Sequence, residues 1–96
     1  MEKKEILRQL RTDVVLNKKV MEDLEKKASM FKKIDDARGI QETLTEIKNT
    51  FVLWKKNLDA QKKLTRDKEV LSFIEEIKDN MIKVEKELIK EYDESE

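Results

Sequence analysis

Apolar residues recur along the chain at alternating intervals of three and four positions, in three separate stretches. Such intervals place side chains on one face of an α-helix. The first stretch has a single polar member, Asn17, and predicts a helix over about residues 4–33. Its seam consists of Leu7, Leu10, Val14, Asn17, Met21, Leu24, Ala28 and Phe31.

The first seam ends where its continuation would bury Asp35. Asp35 and Asp36 are favourable N-cap residues and Gly39 can relax the backbone, so a boundary belongs between about 33 and 39. A second helix is then predicted over about 36–63. Its seam consists of Ala37, Ile40, Leu44, Ile47, Phe51, Trp54 and Leu58.

The second seam ends in the same way, before a third begins. Thr65 is the predicted N-cap of the last helix, and Asp67 places a negative charge in its first turn, where the helix dipole favours one. This helix is predicted over about 66–92, and residues 93–96 are predicted to be an acidic, disordered tail. The third seam consists of Val70, Ile74, Ile77, Met81, Val84, Leu88 and Tyr92.

Three helices of about 40 Å with short connections favour antiparallel neighbours. The predicted fold is all-α, an antiparallel three-helix bundle with coiled-coil-like seams that forms one unit over residues 1–92. Apolar residues beside the seams let each helix touch two others, but a two-helix hairpin or a homodimer would bury them equally well. These flanking residues are Ile6, Val15, Val20, Val52, Leu53, Leu71, Phe73, Ile82 and Ile89.

The larger seam residues are expected to anchor the core. Trp54 is interpreted as a core anchor rather than a binding hot spot, because it falls on the seam. Asn17 either selects a partner or register, as single polar seam residues do, or lies at the edge of the bundle. The predicted anchors are Leu10, Leu24, Phe31, Leu44, Ile47, Phe51, Trp54, Leu58, Ile74, Ile77, Met81 and Leu88.

Composition supports long helices and argues against catalysis. The chain has no proline, one glycine and 46% charged residues. It also has no histidine or cysteine, which removes the commonest general base, nucleophile pairs and transition-metal ligands. We therefore expect no enzyme, no catalytic residue, no cofactor, no metal site and no small-molecule substrate. Without a membrane-length apolar run or a secretory leader, the chain is expected to be cytoplasmic.

The charges are unevenly distributed. Residues 1–65 carry 16 Lys/Arg against 11 Asp/Glu, whereas residues 66–96 carry 6 against 11. Lysine pairs make the first two helices basic, but acids lie among them and one Trp and one Tyr form no stacking platform. A solvated face is thus favoured over contact with RNA or a ribosome. The candidate phosphate contacts are Lys55, Lys56, Lys62 and Lys63.

A family resemblance adds a second interpretation. Asp35-Asp36, Gln41, Leu44, Glu46 and Ile47 precede an amphipathic helix centred on Trp54 and an acidic last helix. With this spacing the stretch from Leu24 to Tyr92 resembles the helical N-terminal domain of bacterial peptide chain release factors, type 2 in particular. Ile34, Ala37 and Ile40 differ from the residues that this family favours.

The resemblance implies a module that contacts the ribosome or an accessory protein during translation termination. It implies no hydrolysis, since the family's Gly-Gly-Gln loop is absent from these 96 residues. Our first hypothesis is a helical protein–protein interaction module, an adaptor, chaperone-like partner or assembly subunit whose partner is another protein or a second copy. The alternative is the translation-associated module, and we expect no membrane contact from either.

Overall fold

The computed structural model describes residues 2–93 and contains three α-helices: α1 spans Lys3–Lys33, α2 spans Ala37–Lys63 and α3 spans Lys68–Tyr92. No strand occurs within residues 2–93. The prediction of an all-α, three-helix fold is confirmed. Met1 and residues 94–96, which include most of the tail predicted to be disordered, lie outside the described residues.

Polar contacts between α1 and α2 show that these helices run in opposite directions. Lys27, near the end of α1, pairs with Glu46 in the first half of α2, with a separation of 3.1 Å between Nζ and Oε1. Gln61, near the end of α2, donates to the carboxylate of Asp13 in the first half of α1 at 3.5 Å. The helices therefore form an antiparallel hairpin.

The third helix returns along the first two. The pair between Lys62 and Glu75 joins the end of α2 to the first half of α3, and the pair between Lys55 and Glu85 lies further along α3, so α2 and α3 are antiparallel. Lys3 pairs with Glu69, which brings the beginnings of α1 and α3 together. The bundle that results measures 49 × 22 × 15 Å, with α1 and α3 parallel.

The connection between α1 and α2 combines a C-terminal and an N-terminal capping motif. The amide of Asp36 donates to the carbonyl of Phe31 at 2.9 Å, and that of Asp35 donates to Lys32 at 3.2 Å. Asp35 has a φ of 57°, so it occupies the left-handed position that helices commonly fill with glycine. Asp36 then caps α2 by accepting a hydrogen bond from the amide of Gly39 at 3.0 Å.

Gly39 does not relax the backbone at this boundary, contrary to the sequence prediction. It lies inside α2, and no glycine of the described chain has a positive φ. Gly39 is instead buried beneath the ring of Phe31, where a side chain would collide with that ring. The glycine therefore allows close approach of two helices rather than a bend in the chain.

The prediction that Thr65 caps the third helix is wrong. Asp67 is the N-cap, and its carboxylate accepts hydrogen bonds from the amides of Glu69 at 2.9 Å and Val70 at 3.3 Å. Thr65 instead accepts a hydrogen bond from the amide of Asp67 at 3.2 Å. A carboxylate can satisfy two free amides and also meets the positive end of the helix dipole, which favours Asp67 over a hydroxyl group.

The core lies where the three seams face one another. Leu24 and Phe31 are partly buried and pack against it, whereas Ala37 and Val84, which the periodicity placed in seams, are exposed. Met21, Ala28, Ile40, Val70 and Tyr92 are also buried. The other predicted anchors are all buried: Leu10, Leu44, Ile47, Phe51, Trp54, Leu58, Ile74, Ile77, Met81 and Leu88.

The widened apolar faces are only partly covered by the bundle. Of the flanking residues, Ile6, Leu71, Phe73 and Ile89 are half-buried. The remainder, Val15, Val20, Val52, Leu53 and Ile82, stay exposed. Three helices thus leave apolar surface on their outer edges.

Candidate protein-interaction groove

The edge between α2 and α3 is closed by ion pairs. The hydrogen bond from Lys78 lowers the pKa of the Asp59 carboxyl below its ordinary value, and the one from Lys62 does the same for Glu75. These side chains are partly exposed, so water and salt screen the pairs and each contributes little to stability. The pairs are Lys62–Glu75 at 2.6 Å, Lys78–Asp59 at 2.8 Å and Lys55–Glu85 at 3.4 Å.

The edge between α1 and α2 carries a small apolar patch. Leu16 and Val20 follow Asp13 along one flank of α1, at the helical spacing that places them beside α2. Leu53 lies on the matching flank of α2. All three apolar side chains are exposed, between the two polar contacts that join these helices.

The edge between α1 and α3 is an open apolar groove of about 490 Å³. These two helices are the most loosely packed pair of the bundle. The groove extends along α1 from Arg11 to Met21 and along α3 from Phe73 to Val84. At 1.5 Å per residue each wall is about 15 Å long, close to three turns of helix.

Two aromatic residues of α2 form the floor of the groove. Phe51 and Trp54 stack with ring centroids 6.3 Å apart and an angle of 19° between their planes. Trp54 is 8% exposed, and its buried indole N–H has no acceptor among residues 2–93. Both rings belong to α2 and line the groove between α1 and α3.

The walls of the groove are apolar, and part of them is open to solvent. Val14 and Met21 of α1 face Ile77 and Met81 of α3 across the groove. Val15 lies higher on the α1 wall and is 66% exposed. Val84 lies on the α3 wall and is 41% exposed, since no helix covers the seam at that point. Both valines are accessible to an incoming side chain.

The two rims of the groove carry opposite charges. Arg11 and Lys18 line the α1 rim, whereas Glu76 and Asn80 line the α3 rim. The guanidinium carbon of Arg11 lies 6.0 Å from the centroid of the Phe73 ring, a cation–π distance, at one end of the groove. The rest of the groove is left open between its rims.

Asn17 belongs to the stretch of α1 that forms the groove, but its side chain does not line the groove and bonds within its own helix. Its side-chain amide donates to the carbonyl of Asp13 at 2.8 Å, and the residue is half-buried. This bond satisfies the polar side chain without a partner from another helix. Selection of a partner by Asn17 stays a prediction.

The four candidate phosphate contacts divide into two kinds. Lys55 and Lys62 pair with carboxylates of α3, as described above. Lys56 and Lys63 are exposed. A phosphate would have to displace a carboxylate from the first two lysines, so the structure assembles no ready phosphate site from all four.

Residues 2–93 contain no group of three or more acidic side chains that could hold a metal ion. None of the helices in that part of the chain has the length and apolarity that crossing a membrane requires. Comparisons with protein-family models, curated proteins and solved structures give no match to this chain.

The amino-acid sequence indicates the components of the groove but not the groove itself. Val15 and Phe73 are apolar residues beside the seams, and Trp54 and Val84 are seam residues. On both α1 and α3, apolar residues beside the seam adjoin the seam itself, and this widened apolar face is the feature of the sequence that indicates the groove. Which pair of helices would separate depends on packing around the aromatic floor, so periodicity alone did not locate the site.

Proposed function

We propose that this protein is a non-enzymatic protein–protein interaction module that binds an amphipathic helix of a partner in the groove between α1 and α3. The observation that carries the proposal is an open apolar groove with an aromatic floor and exposed Val15 and Val84 on its walls. Helix-in-groove recognition uses such a surface and places apolar anchors of the incoming helix in it.

The geometry of the bundle supports a helix as the occupant. A helix placed between α1 and α3 would lie opposite α2 and complete a four-helix arrangement. It would shield Val15 and Val84 from water, and removal of apolar area from water contributes about 25 cal/mol per Å². An apolar stripe of three turns would match the length of the groove walls.

The proposal is tested by substitutions on exposed positions that the fold does not need. Val15→Glu and Val84→Glu place a carboxylate in the groove, while Leu53→Glu makes a similar change on the α1–α2 edge at a residue of 67% exposure. We expect a lysate protein retained by the wild type and by Leu53→Glu to be lost from both groove variants. The captured protein is then identified and its helical segment is synthesised for a direct titration.

All four proteins must first show the same helical circular dichroism and similar unfolding temperatures. Retention of every captured protein by the two groove variants would overturn the proposal. If the Leu53→Glu variant also lost the captured protein, binding would be assigned to a different or non-specific surface. That result would overturn the proposal as well.

A second candidate is docking on a ribonucleoprotein during translation termination, as the release-factor resemblance implies. Lys56 and Lys63, exposed on α2, support it. The test is co-sedimentation with ribosomes over a range of salt concentrations, because phosphate contacts weaken steeply as salt rises. Salt-sensitive binding that Lys56→Gln/Lys63→Gln abolishes would favour this candidate, and absence of binding at low salt would exclude it.

A further inference from the structure

The charged and polar side chains that line the two rims of the groove differ in sign. Arg11 and Lys18 lie seven residues apart on α1, a spacing of two turns that keeps both on the same rim. Opposite them, Glu76 and Asn80 of α3 lie four residues apart and present a carboxylate and an amide. One rim is basic and the other is acidic or neutral.

The charged residues of the rims do not form ion pairs within the described part of the bundle. Within residues 2–93, none of Arg11, Lys18 and Glu76 takes part in an ion pair, and Arg11 makes a cation–π contact with Phe73. The edge between α2 and α3, by contrast, carries three ion pairs. The groove edge therefore retains charges that a further element can pair.

The shape of the groove argues against a second copy as the occupant. In a symmetric dimer the same face meets itself, and two concave grooves placed together would leave a void between the aromatic floors. If the groove instead received another face of a second copy, the contact would be heterologous and would build a ring or an open chain of molecules. A single convex helix fills the groove without either problem.

We infer that the partner helix is charge-segregated, with carboxylates along the flank that meets α1 and lysine or arginine along the flank that meets α3. This inference rests on the proposed function and specifies its partner. Carboxylates on one flank would pair with Arg11 and Lys18, and cations on the other with Glu76. Charges of the wrong sign on either flank would be repelled, so the rims select among apolar helices.

Two synthetic peptides of identical composition test this inference. Both are 18-residue amphipathic helices with a leucine stripe and no tryptophan; one has glutamates on one flank and lysines on the other, and its control mixes both on each flank. Trp54 is the only tryptophan of the chain and lies in the groove floor, so its fluorescence reports binding. We expect the segregated peptide to bind about five- to tenfold more tightly at low salt, and the difference to shrink at high salt.

Neutral variants establish that the rims cause the preference. Lys18→Gln/Glu76→Gln should bind the two peptides within about twofold of each other. The matched control is Lys56→Gln/Asp79→Asn, which removes one exposed charge of each sign outside the groove and should keep the preference. Arg11 is left in place because of its contact with Phe73.

The outcomes separate the inference from the function on which it rests. Equal affinity of the wild type for both peptides would overturn charge selection and leave a groove that binds apolar helices. If neither peptide bound, both the inferred charge selection and the proposed helix-binding function would be overturned. Sedimentation equilibrium of the protein alone supplies a further check, because a dimer that Val15→Glu dissociates would make a second copy the occupant and overturn the inference.

Discussion

The ring of Phe31 at the end of α1 lies over Gly39 in the first turn of α2, so closely that a Cβ on residue 39 would stand 2.5 Å from Phe31 Cδ1. Carbon atoms in favourable contact are about 3.5–4.0 Å apart. Because of this glycine, the two helices meet at the same end of the bundle where Asp35 and Asp36 reverse the chain. The contact between Phe31 and Gly39 links the connection between α1 and α2 to the hydrophobic core.

Gly39→Ala should destabilise the protein, although the same change in an ordinary helix interior stabilises by about 1 kcal/mol. The added methyl group would force a rigid ring out of its position, at a net cost of about 1–3 kcal/mol. Urea unfolding measures the difference. In a Phe31→Ala background the collision is absent, so Gly39→Ala should become neutral or stabilising there; a gain of stability in the wild type would contradict the contact.

Asp35→Gly should stabilise the protein by about 1 kcal/mol, since an L-residue pays roughly this amount to adopt the left-handed conformation and glycine does not. Thermal unfolding of the variant measures the gain. Asp35→Ala is the matched control because it removes the carboxylate but keeps the Cβ atom, so it should give no comparable gain. Equal effects of the two substitutions would attribute the change to charge instead of backbone conformation.

Trp54→Ala should lower the free energy of unfolding by about 3–5 kcal/mol, because it removes a large buried side chain. Trp54→Phe should cost far less, since the indole N–H donates to no acceptor in the described chain and no hydrogen bond is lost. Chemical denaturation compares the two variants, and the wild type should show blue-shifted fluorescence. A solvent-like emission maximum together with unchanged stability of Trp54→Ala would place the ring outside the core.

Acid should weaken the edge between α2 and α3. The folded-state pKa values of Asp59 and Glu75 lie below their ordinary values of 3.8 and 4.5, because each carboxylate accepts a hydrogen bond from a lysine. As the pH falls, the unfolded state therefore takes up protons before the folded state does. The stabilisation from the two ion pairs is fully present above the ordinary pKa values and is lost as the pH falls through the lower folded-state values. Unfolding temperatures recorded from neutral pH downwards should fall in that range.

A matched variant separates these two pairs from general acid effects. Lys62→Met/Lys78→Met removes the donors, so the pKa values of Asp59 and Glu75 should return towards normal and the acid-dependent loss should become smaller. The control Lys48→Met/Lys56→Met changes exposed lysines of α2 that pair with neither carboxylate. Parallel loss of stability in the wild type and the Lys62/Lys78 variant would show that these pairs contribute nothing measurable.

Local sequence determined the helices and most of their buried faces. Intervals of three and four residues predicted three helices and placed side chains such as Leu10, Phe51 and Ile74 on the faces that the bundle buries. The aspartate pair marked the first boundary, and Asp36 caps the second helix there. Such features are readable because helical hydrogen bonds and apolar faces depend on residues a few positions apart.

Tertiary structure decided which surfaces the bundle closes and which it leaves open. Val84 has the same seam spacing as Met81, yet it is exposed because it lies on the open edge between α1 and α3. Likewise, only the approach of α3 gives Lys62 its ion pair with Glu75. These outcomes depend on distances between residues far apart in the chain, which periodicity along one helix does not encode.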